Sequence, residues 1–440
     1  MLRKRIQLGL IHTAVAVTLV PINSTLNRIL IEDMAVLATV VVLLFSPPYL
    51  FSFIQVAIGS FSDRYPILGY RRTPYIAFGL LLCAAGLASA AQVALRIPVD
   101  FWAGIGLSAL TFAAWGMGFN LASVSYFSLA AELSGEHGRS RTTAVMFFMM
   151  IIGIIITAAG LSRYLQVYTP ERLQTAFMAI SLIALAMGLA GLIALEQPSR
   201  EAPVVERRYP LGEVFREVWS SRPVRQFFTY LLLLLAAVLG QDVLLEPYAA
   251  RAFGMPVDET TRITQIWGTC YLVALLFAGA LEGRVSKIRM VRFSSWMAVA
   301  AFVLVAASGL TGGPGVFYLG VVLLGFATGP ATVANLSVML DMTHPGRVGL
   351  FIGAWGSASA FARLLGYLVT ASARDLARLF PGSALYGYTA GFTLLAVFVV
   401  VSLVVLNRID IAGFIAGDGT GTGTLAGLSA AERAALAGDV

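Results

Sequence analysis

Gly59-Ser-Phe-Ser-Asp-Arg64, followed closely by Gly69-Tyr-Arg-Arg72-Thr-Pro74, is a charged stretch set between two long apolar runs. It is too polar for hydrocarbon and too short to be a domain, so it reads as a tight aqueous turn joining two membrane helices. Gly59 lets two helices approach closely. Asp63 has three guanidinium partners in reach along the chain, Arg64, Arg71 and Arg72, and N–H groups at the start of the next helix as a further choice. Two roles fit these residues: a charged turn that obeys the positive-inside rule, or a conformational latch of Gly59, Asp63, Arg64, Arg71 and Arg72 that clasps one helix arrangement and releases for another.

Working outward, the 440 residues are 58% hydrophobic and 12% charged, with a mean hydropathy of +0.83. Soluble domains carry about 25% charged residues. Apolar runs long enough to cross a bilayer recur along the whole chain, and the short alternating segments of a membrane β-barrel are missing from the pattern. The expected class is an all-α membrane protein. The net charge of +7 is spread out, with no basic stripe of the kind that binds nucleic acid. Cys83 and Cys270 both lie inside apolar runs and have no metal-ligand or disulfide spacing. The basic start, Met1-Leu-Arg-Lys-Arg5, leads into a run that continues to Leu30 and reads as an uncleaved first helix.

Twelve transmembrane helices are expected, at 7–31, 34–60, 73–95, 101–132, 142–165, 173–195, 224–249, 261–282, 288–310, 315–341, 347–372 and 384–407. Pro47-Pro48 and Gly329-Pro330 should kink theirs. With the N-terminus inside, 21 of the 30 Lys and Arg fall on one side, which places both termini in the cytoplasm. The longest polar break, Gln197 to Pro223, carries an amphipathic piece over 211–219. The expected organisation is a six-helix bundle over 1–196, a cytoplasmic linker over 197–222, a second bundle over 223–410 and a flexible cytoplasmic tail over 411–440.

The halves look duplicated. Gly59-x-x-x-Asp63-Arg64 has a degenerate counterpart in Gly279-x-x-x-Gly283-Arg284. Gly138-Arg139 matches Gly346-Arg347, and Asn27-Arg28 with Glu32 matches Gln241-Asp242 with Glu246. Three matches in one order point to a parallel internal repeat, two pseudo-symmetric bundles about an axis along the membrane normal.

Ionisable groups in a membrane segment need partners. Asn23 and Asn27 share a helix face at i,i+4, as do Arg28 and Glu32, and Asp242 and Glu246. An Arg28–Asp242 pair with Glu32 near Glu246 reads equally as a substrate or ion-pair gate and as a fixed cross-link. The two glutamates are also a pair able to share a proton. Arg363 has no acid nearby in its helix and needs a distant partner. Gln55, Asn120 and Asn335 fit either polar head groups or helix–helix hydrogen bonds. No catalytic constellation or metal-binding cluster is visible, so no enzyme activity is expected.

Twelve helices in related halves with a Gly-x-x-x-Asp-Arg…Arg-Arg loop resemble the major facilitator superfamily. Thr25-Leu-Asn-Arg-Ile-Leu-Ile-Glu32, Gly69-Tyr-Arg-Arg-Thr-Pro-Tyr75 and Gln241-Asp-Val-Leu-Leu-Glu-Pro-Tyr248 are similar to one branch of it, the PucC/LhaA or bacteriochlorophyll delivery family. The resemblance implies a major facilitator fold and a membrane factor that helps assemble light-harvesting and reaction-centre antenna complexes. The implied partners are antenna polypeptides, the reaction-centre complex and the lipid bilayer. The implied cargo is bacteriochlorophyll or chlorophyll, with carotenoid, in a bacterial inner or intracytoplasmic photosynthetic membrane. His12, within the first helix, is then the candidate pigment ligand. Gly86, Gly104, Gly106 and Gly188 are candidate small-residue contacts for an antenna helix. The alternatives are a secondary transporter of a small amphipathic solute by alternating access, and a stable non-transporting subunit of a photosynthetic pigment–protein complex.

Overall fold

In lipid every backbone N–H and C=O must be satisfied within its own segment, which restricts spanning structures to helices and closed barrels. The computed structural model of the chain follows that restriction. It describes residues 1–54, 58, 61–62, 65–198, 219, 222–281, 284–311, 313–341, 348–380 and 384–409. Every named element among them is helical. Gln55, Gly59, Asp63 and Arg64, the 411–440 tail and all of the 211–219 piece but Trp219 lie outside the described residues.

Ten helical stretches among the described residues are long and apolar enough to cross a membrane. Of the expected spans, 34–60 and 347–372 do not count among them. The former is broken by Pro47-Pro48 into α2 (Ala38–Phe45), a single turn Pro47–Leu50 and a 3₁₀ turn Phe51–Ile54. The latter is the 30-residue helix α11 (Val348–Ala377).

The first unit comprises Met1–Val205 and Asp242–Gly268, and the second Glu206–Gln241 and Thr269–Val440. In the first, α1 (Leu2–Val17) packs on α4 (Phe101–Tyr164) and α5 (Pro170–Leu192), and α3 (Thr73–Ala94) packs on the same two. In the second, α6 (Arg222–Gly240) packs on α11 and α12 (Ala384–Leu406), while α9 (Lys287–Thr311) packs on α10 (Pro314–Asp341) and α12. α1 and α3 thus share the partners α4 and α5, and α6 and α9 share the partner α12.

Helical backbone is found over all 64 residues of α4, where the sequence led us to expect two helices and a loop. No proline falls between Phe101 and Tyr164 to break it. The helix nevertheless doubles back. His12 on α1 touches the rings of Tyr126, Phe127 and Phe147, and a straight helix would separate Tyr126 from Phe147 by roughly 30 Å. The reversal therefore lies between 127 and 147, and the two spans are Phe101–Ser134 and Arg141–Tyr164.

Close backbone contact in this fold is internal. A Cβ on Gly86 would meet the Trp115 backbone, one on Gly104 the Ile97 backbone, and one on Gly188 the Leu80 side chain; only Gly106 of those four faces open space. Gly86, Gly104 and Gly188 are accordingly seats for neighbouring parts of the same unit and not docking points for another chain. In the second unit, Gly240 of α6 and Gly366 of α11 lie against each other. A Cβ on Gly240 would come within 2.7 Å of the Gly366 Cα, and one on Gly366 would strike the Ala236 carbonyl.

Gly366→Ala should therefore lower the thermal stability of purified protein by about 1–3 kcal/mol, the usual cost of overpacking. Gly279→Ala, whose new methyl meets nothing within 4 Å, should leave it unchanged or raised. Melting curves in detergent check both, and equal melting of Gly366→Ala and the parent would contradict the packing.

Candidate functional site

Pro21 lacks an N–H and so cannot complete an ordinary α-helical turn. From it the first span widens into two π-helical segments, Pro21–Leu26 and Ile29–Asp33. Asn27 N–H reaches back five residues to the Ile22 carbonyl, and Met34 N–H to that of Ile29. Such wide turns recur at functional sites. Here they turn a row of polar side chains toward Asp242–Gly268.

That facing segment is itself broken. After α6 the chain makes a 3₁₀ turn, Gln241–Val243, and restarts as α7 (Leu245–Phe253). Gly254, in the left-handed conformation at φ +66°, closes α7, and α8 (Val257–Leu281) follows. Asn27 Nδ2 donates to the Val243 carbonyl at 2.8 Å, satisfying an acceptor at the break. Thr261 Oγ1 donates to its own Val257 carbonyl at 2.8 Å, which leaves Thr25 as donor in the 3.0 Å Thr25–Thr261 bond. Ser162 of α4 donates to the Asp258 carbonyl at 2.8 Å.

At the centre is Glu246, 3% exposed. Its Oε1 accepts from Ser24 Oγ at 2.5 Å and from Thr264 Oγ1 at 2.7 Å. Its Oε2 is enclosed without a hydrogen-bond partner among the described residues. Arg28 is nearby but otherwise engaged: Nη1 pairs with Asp33, and Nη2 donates to the Met255 carbonyl at 3.3 Å. The Arg28–Asp242 pair expected from the sequence is replaced by Arg28–Asp33, because a π turn brings i+5 over i. Asn23, Glu32 and Asp242 are half-buried along the same elements, and Gln241 is buried.

The other candidates fall elsewhere. Arg363, in the second unit, donates to Tyr367 at 3.0 Å and lies 5.8 Å from its ring centroid, one turn along α11. Asn335 accepts from Tyr230 at 2.6 Å, and Asn120 donates to the Pro48 and Gly116 carbonyls at 2.9 and 2.8 Å. Both are helix–helix ties. His12 is 5% exposed, stacked on Tyr126 and met edge-on by Phe127 and Phe147. An axial ligand to magnesium must present a ring-nitrogen lone pair in the plane of the imidazole, with room beyond it for the macrocycle. At 5% exposure, packed among Tyr126, Phe127 and Phe147, His12 leaves no room for one and does not fit as an axial ligand in this arrangement.

Of the latch residues, Arg71 and Arg72 are described, and their partners were missed from sequence. Glu196, at the end of the first unit's last span, accepts backbone N–H bonds from Arg71 at 2.8 Å, Arg72 at 3.1 Å and Thr73 at 2.7 Å. It caps α3 from outside its own helix. The Arg72 guanidinium holds Glu132 at 3.0 Å and Ser62 at 2.6 Å. An acid about 125 residues downstream leaves no local spacing to read.

Comparison with known proteins now adds the lineage. A family profile described as PUCC protein matches residues 25–414, and the chain belongs to that family. It is 29% identical over 394 residues to the "Bacteriochlorophyll synthase 44.5 kDa chain" of Rhodobacter capsulatus, covering 88% of this chain and 90% of that one. It is 27% identical over 422 residues to "Protein PucC" of Cereibacter sphaeroides, covering 92% and 91%. Among solved structures, a bacterial homologue of the human lysosomal transporter Spinster, inward-facing and unoccupied, superposes with a TM-score of 0.69 at 13% identity, covering 96% and 98%. The last likeness shows the fold: this is a multi-pass membrane protein of the major facilitator architecture.

Glu196→Ala removes the acceptor for three N–H groups at the start of α3. It should cost about 1–2 kcal/mol, as loss of a helix cap does, read as a lower melting temperature in detergent. Unchanged melting would show that the cap is not needed.

Proposed function

We propose that the protein is a non-enzymatic membrane assembly factor for light-harvesting and reaction-centre antenna complexes. It acts in a bacterial inner or intracytoplasmic photosynthetic membrane. The observation that carries this reading is its membership, over nearly the whole chain, of the PUCC family. The relative named as a bacteriochlorophyll synthase chain supports a tie to pigment supply. The partners proposed are single-span antenna polypeptides and the reaction-centre complex. The cargo proposed is bacteriochlorophyll or chlorophyll, with carotenoid. No residue is assigned as magnesium ligand, given the closed cage around His12. Both termini are proposed to be cytoplasmic, on the Lys and Arg distribution.

A second reading is favoured by one specific feature. A buried carboxyl beside a broken span, in a fold shared with transporters, suits secondary transport of a small amphipathic solute. Purification from native membranes separates the two. The assembly reading expects antenna polypeptides and a bacteriochlorophyll absorption spectrum in the eluted complex. It also expects loss of antenna absorption from membranes of a deletion strain. A colourless protein whose melting temperature rises with an added solute, from cells whose deletion leaves antenna absorption intact, would replace it with the transport reading.

A further inference from the structure

A carboxylate buried away from water needs a compensating cation or a proton. Glu246 has no ion pair among the described residues, the guanidinium of Arg28 being engaged by Asp33 and by the Met255 carbonyl. The charged groups that act on Glu246 are Arg28, from the first span, and Asp242, from the turn before α7; from α8 comes the hydroxyl of Thr264. Asp33 and Glu32 stand beside Arg28 on the first span. Both hydroxyl donors converge on Oε1, leaving Oε2 enclosed with its lone pairs unmet. A metal ion would need several oxygen ligands around that atom. A proton needs only the atom itself.

We propose that Glu246 is a proton-binding site, and that its proton holds α7 against the π-helical part of the first span. The segment suits such a role. α7 is a nine-residue rigid piece between two backbone irregularities, the 3₁₀ turn Gln241–Val243 and the left-handed Gly254, each able to act as a hinge. The side chains that meet Glu246 itself, Ser24 from the first span and Thr264 from α8, are neutral, and Asn27 ties the first span to the Val243 carbonyl just before α7. Loss of the proton puts a full charge into the seam. The charge is relieved when water enters or α7 swings out, so the docked and released states of α7 differ in proton occupancy. This inference does not depend on the antenna role, and its test uses neither pigment nor partner.

Infrared spectra of the purified full-length protein in lipid read the proton directly. The expected result at neutral pH is a protonated-carboxyl C=O band that shifts in D₂O and on ¹³C-glutamate labelling. It should vanish in Glu246→Gln and persist in Glu32→Gln and Asp242→Asn. Absence of the band at neutral pH, or its survival in Glu246→Gln, overturns the site. Should Glu246→Gln not fold, Glu246→Asp takes its place: its band should lose the ¹³C-glutamate shift, and a band that still shifts with ¹³C-glutamate in Glu246→Asp overturns the site.

Release is read with Ala249→Cys, a fully buried position on α7, in a background of Cys83→Ser and Cys270→Ser. Maleimide labelling, normalised at each pH to the denatured protein, should rise at least tenfold from acid to alkaline pH. In the Glu246→Gln background it should stay flat. The same rise in both backgrounds, or in neither, overturns the coupling.

Discussion

A carboxyl group enclosed in a membrane protein has to be met by donors, and Glu246 is met by two hydroxyls from elements far apart in the chain. Ser24 reaches it because the first span widens into π turns at Pro21. Thr264 reaches it because α8 begins one short loop after α7 ends. Glu246 itself is positioned by the break at Gln241–Val243, whose carbonyl Asn27 then satisfies. Each irregularity in these helices would be costly alone. Together they form one polar seam inside an apolar unit. That seam is the reason Asp242–Gly268 belongs to the same compact unit as the first 205 residues.

Around that seam the architecture follows from the bilayer. Backbone satisfaction dictates helices. The second unit shows the regular version: Gly240 against Gly366 lets α6 and α11 touch backbone to backbone, and Thr370 bridges the same seam with a bond to the Gly240 carbonyl. The first unit carries the polar irregularities and the Glu196 cap, which ties the start of its third span to the end of its sixth.

Much of this was legible in the residues. Apolar run lengths place the ten described spans, and Glu246 stands out as an acid in an apolar helix. The partners were not legible, for physical reasons. The spacing rule for an α-helix pairs Arg28 with Glu32, but the π turn pairs it with Asp33. Ser and Thr in membrane helices usually bond their own preceding carbonyls, so Ser24 and Thr264 gave no sign of reaching a distant carboxyl. Glu196 and Glu132 meet the Arg71-Arg72 turn only through the tertiary fold. The reversal inside α4 falls between 127 and 147, the interval in which the sequence places a loop, with a span on either side.

The central claim is that the first span and the start of α8 are fixed to each other by neighbouring hydroxyls. Thr25 and Thr261, whose oxygens lie 3.0 Å apart, test it most directly. With Cys83 and Cys270 replaced by serine, Thr25→Cys and Thr261→Cys together should close a disulfide under mild oxidation. The bond would be seen as a fragment that stays linked after proteolysis between residues 199 and 221. Free thiols at both positions after oxidation of folded protein would contradict the account.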